Sequence, residues 1–298
     1  MNQLVTIREK TLTGVKGYSN DPRMSQILAD YLSALERYMT TDKILTLEAK
    51  GRVVAFFMPS KFFHRFYGQV LTQYVFDYDG EYEAESVSFL NDCLKQHRNQ
   101  TTIELIEAYS GHEAFRRSLE SDWELAATCY AGDPAVALAA MKSNRDLRNI
   151  DFEIRPIRDE SDVDRIMQLK ISAFKKNPSL CWFWTCEKYQ TNEYLRLVNS
   201  IGKEQSFGLF HKETIIGYVG VQFDFESAYW GPVSGIDIAV DEKYQSQGLS
   251  YHLYRHAFSN MTSSGIKLYK GVTANQAVIK MTKLFARWPI YHQIIPKK

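Results

Sequence analysis

The sequence predicts an α/β (α+β) protein built twice over, each half a mixed, mostly antiparallel central sheet flanked by helices. Three observations predict this. At 298 residues the chain has the length of about two ordinary domains. Strand-like and helix-like runs alternate along all of it. The order of elements in residues 1–133 then begins again in residues 151–298, with residues 134–150 read as a helical linker. No residue identity accompanies this repeat, so it is a repeat of structure alone.

In chain order, PRMSQILADYLSALERYM has apolar residues at helical spacing. KILTLEA alternates as a strand does, Gly51 turns the chain into RVVAFFMPSKFFHRF, and VLTQYVFDYD makes a third strand. EAESVSFLNDCLKQH reads as helix, TTIELIEAY as strand, GHEAFRRSLES as helix and WELAATCYA as strand. Asp133-Pro134 then offers an N-cap followed by proline at the first helical position, which starts the linker helix. In the second half FEIRPI is a strand, and SDVDRIMQLKISAF a helix with Ser161 as its expected cap. LCWFWTCEKYQTNEYLRLVNSIG continues as helix. SFGLFHK and TIIGYVGVQFDF form a hairpin, and SGIDIAV, IKLYKGVT and PIYHQII are strands. SYHLYRHAFSNMTSSG and NQAVIKMTKLFARW are the helices between those last three.

Composition narrows the function classes. Lys+Arg 36 against Asp+Glu 35 leaves a formal charge of +1, which predicts neither a nucleic-acid nor a membrane partner. The four cysteines, Cys93, Cys129, Cys181 and Cys186, do not form a disulfide framework. No histidine stands near Cys181 and Cys186 to complete a zinc pattern, so no metal is expected. The N-terminal MNQLVTIREKTLTG has no apolar core of a signal peptide, and no stretch reaches membrane-spanning length. The expected location is cytoplasmic, of the producing cell or, for a secreted effector, of a host cell. Oligomeric state is left open.

One stretch, Tyr244-Gln245-Ser246-Gln247-Gly248-Leu249-Ser250, joins a predicted strand to a predicted helix. The first turn of a helix has several N–H groups without intrahelical partners and carries partial positive charge, so an anion can bind there. Gly248 lets the backbone approach such a ligand without a side chain intervening, and Ser250 is small and can donate a hydroxyl. An ordinary turn would use the same residues.

The run from Val240 through Gln245 and Gly248 to Ser250 resembles the signature of the GCN5-related N-acetyltransferase (GNAT) superfamily. There a strand ending in valine is followed five residues later by Arg or Gln, then two variable residues, Gly, one variable residue, and Gly or Ala. Ser250 departs from the last position. FEIRPI followed by ESDVDRIM resembles the family's first strand and helix, and the hairpin at Gly217 its central strands. The resemblance covers about residues 152 to 298. It implies acetyl-CoA as acyl donor, its pyrophosphate on the N–H groups of Gln245, Ser246, Gln247, Gly248, Leu249 and Ser250, and its pantetheine along Ile238, Ala239 and Val240. Asn275 stands where many members have an asparagine near the pantetheine, and an N-cap role is compatible with this.

The chemistry so implied is direct attack of an amine, on a small molecule or a protein, upon a thioester. It needs a neutral amine, a polarised carbonyl and a proton for the thiolate. Where members often carry a glutamate this chain has Ser234. Asp237 is the nearest carboxylate, with Glu226 and Asp224 as substitutes. Where members place a tyrosine, the chain has Thr282, and Tyr291 is the nearest phenol. The first half lacks the signature: FDYDGEYEAES, an acidic run, occupies the place of the pyrophosphate, and like charges would repel it. That half is expected to be a degenerate copy that walls one side of an acceptor cleft. The whole resembles the tandem-GNAT arrangement. Two alternatives stay open, a non-catalytic acyl-CoA-binding or protein-interaction module, and an amino-acid N-acyltransferase using larger acyl groups.

Overall fold

The computed structural model describes residues 1–18, 22–39, 44–64, 69–98, 103–110, 112–141, 151–175, 187–224, 233–281 and 284–297. Residues 1–141 form α1 (Asn2–Thr13), α2 (Met24–Glu36), β1 (Leu45–Ala49), β2 (Arg52–His64), β3 (Gln69–Tyr78), α3 (Glu83–His97), β4 (Ile103–Tyr109), α4 (Glu113–Ser118), β5 (Trp123–Gly132) and α5 (Pro134–Ala140). From residue 151 come β6 (Glu153–Pro156), α6 (Glu160–Lys175), α7 (Glu187–Val198), β7 (Ser206–His211), β8 (Thr214–Asp224), β9 (Val233–Val240), α8 (Leu249–Ser263), β10 (Leu268–Thr273), α9 (Gln276–Lys280) and β11 (Trp288–Pro296). Two helices, an antiparallel three-strand meander, a helix, a strand, a short helix and a last strand occur in that order in both halves.

Local rules repeat as well. The hairpins β1–β2 and β7–β8 both turn through two residues, Lys50-Gly51 and Lys212-Glu213, all with positive φ, as the type I′ turn that suits strand twist requires. Asp133 caps α5 by accepting from the N–H of Ala135 and Val136. At the start of α6 the cap is Asp159, which accepts from Asp162 N–H at 3.0 Å and from Ser161 Oγ at 2.7 Å; the expected cap Ser161 lies within the helix. Helix α1 carried no clear pattern in the sequence. Its buried face mixes Leu4, Val5, Ile7 and Leu12 with Arg8 and Thr11, which blurs an apolar period.

All strands of both halves lie in one sheet of eleven, in the order β1-β2-β3-β4-β11-β5-β10-β9-β8-β7-β6. The last strand of each half crosses to the other: β11 lies between β4 and β5, and β5 lies between β11 and β10. The two crossed strands pair with each other antiparallel from Trp123 to Ala131. Because β5 and β11 exchange places, a pseudo-twofold axis runs through their pairing. Register carries faces across this centre, from Gly235 through Lys270 to Ala131, and from Cys129 through Tyr291 to Tyr109. On that face α1 and α2 cover the first half and α6 and α7 the second. Helices α3, α5 and α8 cover the opposite face.

Candidate acyl-transfer site

Strand β9 is the spine of the site. Its first residues, Val233, Ser234 and Gly235, pair in parallel with Leu268, Tyr269 and Lys270 of β10. Beyond Lys270, β10 bends away and pairs with β5 through Thr273. Residues Ile236–Val240 therefore keep β8 on one side and have no strand partner on the other among the described residues. Backbone polar groups left open this way are donors and acceptors for a ligand laid along the edge. Ile238, Ala239 and Val240 thus lie on the open edge.

The chain leaves β9 through Asp241, whose carboxylate accepts from Lys243 N–H and caps a single 3-10 turn, Glu242–Tyr244. Gln245–Gly248 follow, then α8. Ser246 and Gly248 both have left-handed backbones, φ 62° and 85°. Alternation of left- and right-handed residues turns N–H groups toward a common concavity that suits anions. Gly248 is the N-cap of α8, and no side chain caps that terminus. The side-chain amides of Gln245 and Gln247 fold back instead, donating to Val240 O at 3.1 Å and Lys243 O at 3.0 Å. The first-turn N–H groups of Leu249 and Ser250 are left uncapped by side chains. A cavity of about 200 Å³ lies beside this edge, with Arg165, Leu169 and Ser172 of α6 facing Val240, Lys243 and Gln245. Asn275 precedes α9, where its carbonyl accepts from Ile279 N–H at 2.9 Å.

Residues 164–285 match the family model described as the acetyltransferase (GNAT) family. These residues form a GNAT-family domain. An acetyltransferase of the GNAT family from Colwellia psychrerythraea superposes with a TM-score of 0.51 at 11% identity, over 99% of this chain and 96% of that one. A GCN5-related N-acetyltransferase from Sphaerobacter thermophilus superposes with a TM-score of 0.52 at 10% identity, over 99% and 90%. The GNAT fold accordingly extends over the whole chain. Among curated protein sequences none matches this one.

Alternation along β9 separates the remaining candidates of the GNAT domain. Ile236, Ile238 and Val240 face α8, whereas Ala239 faces α6. Ser234 belongs to the first set and Asp237 to the second. Ser234 is fully buried, and its hydroxyl donates to Gly235 O at 3.0 Å. Tyr291 lies between Cys129 and Tyr109, with its ring 5.9 Å from that of Tyr109. Three strand spacings, roughly 14 Å, separate β11 from β9. Burial and the neighbouring Cys129, itself pushed up to about 12 by burial, hold the Tyr291 phenol well above its ordinary range. The side chains of Asp224, Glu226, Thr282, Cys181 and Cys186 lie outside the described residues.

Asp237 enters a cluster that sequence reasoning missed. Lys170 of α6 donates to Asp237 and, at 2.5 Å, to Glu193 of α7. Arg196 holds Glu193 through Nε at 2.9 Å and Nη2 at 2.6 Å, and donates to the Tyr218 hydroxyl at 3.0 Å. The Gln222 amide oxygen, in the orientation that satisfies its neighbours, accepts from Arg196 Nε at 3.1 Å. Burial alone would lower the Lys170 ammonium, but Asp237 and Glu193 outweigh it and raise the group well above the usual lysine range. Burial would raise Glu193, and Lys170 with Arg196 reverse this, holding it below the usual carboxylate range. One signal was present: in the buried stripe Val163, Ile166, Met167, the next helical position is a lysine.

Proposed function

We propose that the chain is an acetyl-CoA-dependent N-acetyltransferase whose second half holds the donor and whose acceptor approaches from the face covered by α6 and α7. The observation that carries the reading is the loop Gln245–Gly248, with left-handed backbones at Ser246 and Gly248, set between the open β9 edge and the uncapped N-terminus of α8, where the first half has no such loop. The residues fit the donor. The open edge from Ile238 to Val240 suits the amides of a pantetheine arm, and Gln245–Ser250 present N–H groups to a pyrophosphate. Arg165 and Lys243 line the cavity beside the cradle together with Asp241, which pairs with Arg165, and Glu242. Asn275 would face the same arm from the end of β10.

Bound there, the donor supplies a thioester carbonyl that an amine can attack. Asp237, with its side chain 30% exposed, is placed to hold that amine. In the transfer the amine nitrogen bonds to the carbonyl carbon as the C–S bond breaks. The acceptor ammonium gives up one proton before attack and a second afterwards, and one of the two ends on the departing thiolate. Asp237 orients the nitrogen. Tyr291, which keeps its own proton, is assigned the floor of the acceptor cleft contributed by the crossed strand. Ser234 supports β9 from the opposite face.

Titration calorimetry with CoA, together with thiol release from acetyl-CoA in the presence of amines, tests this. Replacing Asp237 with Asn is expected to lower kcat by about tenfold to a hundredfold while CoA affinity changes less than about twofold. CoA binding with no thiol release for any amine would instead make the chain an acyl-CoA-binding module. Preference for benzoyl-CoA would reassign the acyl group.

A further inference from the structure

Lys170 is the only buried lysine among the described residues, with 2% of its side chain exposed. A lysine in an apolar stripe is costly unless paired, and here it is paired twice. Lys170 and Arg196 balance Asp237 and Glu193, so the cluster has no net charge. It opens to solvent through Asp237, 30% exposed, and Arg196, 26% exposed. Arg196 hydrogen-bonds to Glu193 and Tyr218 and stands 3.9 Å from Asp237, whose carboxylate, shared chiefly with Lys170, is the acidic group of the cluster most open to a ligand cation.

We propose that Lys170 is a positioning residue that sets how tightly Asp237 grips the acceptor, sharing the carboxylate so that the amine is oriented without being locked in its charged form. This rests on the acyltransferase reading above. A lone carboxylate against an ammonium favours the charged form by one to three pKa units, roughly, whereas attack on a thioester needs the neutral amine. Tight binding of the ammonium improves the ground state and adds nothing to the transition state. A carboxylate already neutralised by Lys170 avoids that trap. The titratable and charged groups around Asp237 are Lys170 from α6, Tyr189, Glu193 and Arg196 from α7, Tyr218 from β8, and Tyr254 of α8 from the other face. None of them is a ready proton acceptor: Lys170 and Arg196 stay charged, Glu193 is held low, and the tyrosines are raised by burial. The acceptor proton therefore leaves to water, which a weak grip permits.

Steady-state kinetics from about pH 6 to about pH 10 test this, with acetyl-CoA and spermidine, glycine or a lysine-containing peptide as acceptor. The proteins are wild type, Lys170→Met, Lys170→Arg and the double variant Lys170→Met/Glu193→Gln. The double variant removes one charge of each sign and guards against failure to fold. Without Lys170, KM for the amine and kcat should both fall by about fivefold or more. The rising limb of kcat against pH should move up by about one unit, tenfold in proton concentration. Lys170→Arg should restore both. A KM that rises with the limb unmoved would leave Lys170 a purely structural residue and overturn the proposal alone. Wild-type protein that binds CoA yet releases no thiol with any of the three acceptors would overturn the acyltransferase reading, and this inference with it.

Discussion

Strands β3 and β9 occupy equivalent places in the two halves, and both splay from a parallel neighbour. β3 pairs with β4 from Leu71 to Tyr74 and then parts from it, as β9 parts from β10 after Gly235. Each ends in an aspartate that caps a single 3-10 turn, Asp79 before Gly80–Tyr82 and Asp241 before Glu242–Tyr244. There the halves diverge. In the first, α3 begins at once at Glu83; in the second, Gln245–Gly248 intervene before α8. The first splay is also filled: Arg8 of α1 donates to Asp77 at 2.7 Å and to the Tyr109 hydroxyl at 3.1 Å. The first half thus lacks the four residues that precede α8 in the second, and its gap is occupied by Arg8. Four of the five carboxylates in the acidic run are partnered, Asp77 by Arg8 and three others besides. Asp79 meets Lys10 at 2.8 Å, Glu81 meets Arg52 at 3.3 Å, and Glu83 accepts from Tyr78 at 2.6 Å.

The largest effect expected from this difference is at Gly248. Replacement by Val puts a β-branched residue at φ 85° and a side chain into the cradle. CoA affinity should fall by about a hundredfold or more in calorimetry, with strain of about 1–3 kcal/mol appearing as a lower Tm. Retained affinity would mean that the cradle is not at α8, and the contrast between the halves would lose its functional meaning.

What the sequence disclosed follows the range of the interactions concerned. Strands and helices with a clean period were legible, and so was Gly248, because a strand-to-helix turn is local. The exchange of β5 and β11 was not legible, since WELAATCYA and PIYHQII read as strands whichever half they join. α1 was hidden by Arg8 and Thr11 on its buried face: Arg8 is there because Asp77 waits across the fold, and the Thr11 hydroxyl is satisfied within the helix by Ile7 O. The same holds at the site. Asp237 was found as a carboxylate in mid-strand, whereas Lys170, Glu193 and Arg196 come from two helices and acquire meaning only when packing brings them to it.

The plug in the first half sharpens the comparison through stability. Arg8 and Asp77 are 5% and 1% exposed, and removing one partner of such a pair typically costs about 3–5 kcal/mol. Arg8→Met should therefore lower stability by that order in urea unfolding and leave CoA affinity unchanged. Adding Asp77→Asn should return part of the loss, since the stranded charge is gone. If Arg8→Met altered CoA binding instead, the first splay would be communicating with the second, and its description as a plug would be insufficient.

The smallest expected effect concerns the histidines. Burial is the main cause that lowers His252 and His256 of α8, and also His292 of β11, below the ordinary imidazole value. In the unfolded chain all three protonate near about 6.5. A depressed folded value means that the unfolded state takes up protons first, so stability is complete above about 6.5 and declines as pH falls toward the folded values. His292 Nδ1 pairs with Thr128 Oγ1 at 3.0 Å, whereas the Nε2 atoms of His252 and His256 are buried without hydrogen-bond partners. Nothing polar is lost from those two when the ring becomes apolar, and His256 already stands 4.4 Å from the Phe207 ring. His256→Phe should hold Tm at neutral pH and reduce its decline between about pH 6.5 and about pH 5 by a few degrees. His292→Phe should reduce the same decline but lower Tm at neutral pH, because Thr128 is left unpaired. Equal behaviour of the two variants at neutral pH would show that the hydrogen bond at the crossed strands carries no weight, and that the buried imidazoles of α8 and β11 differ by position alone.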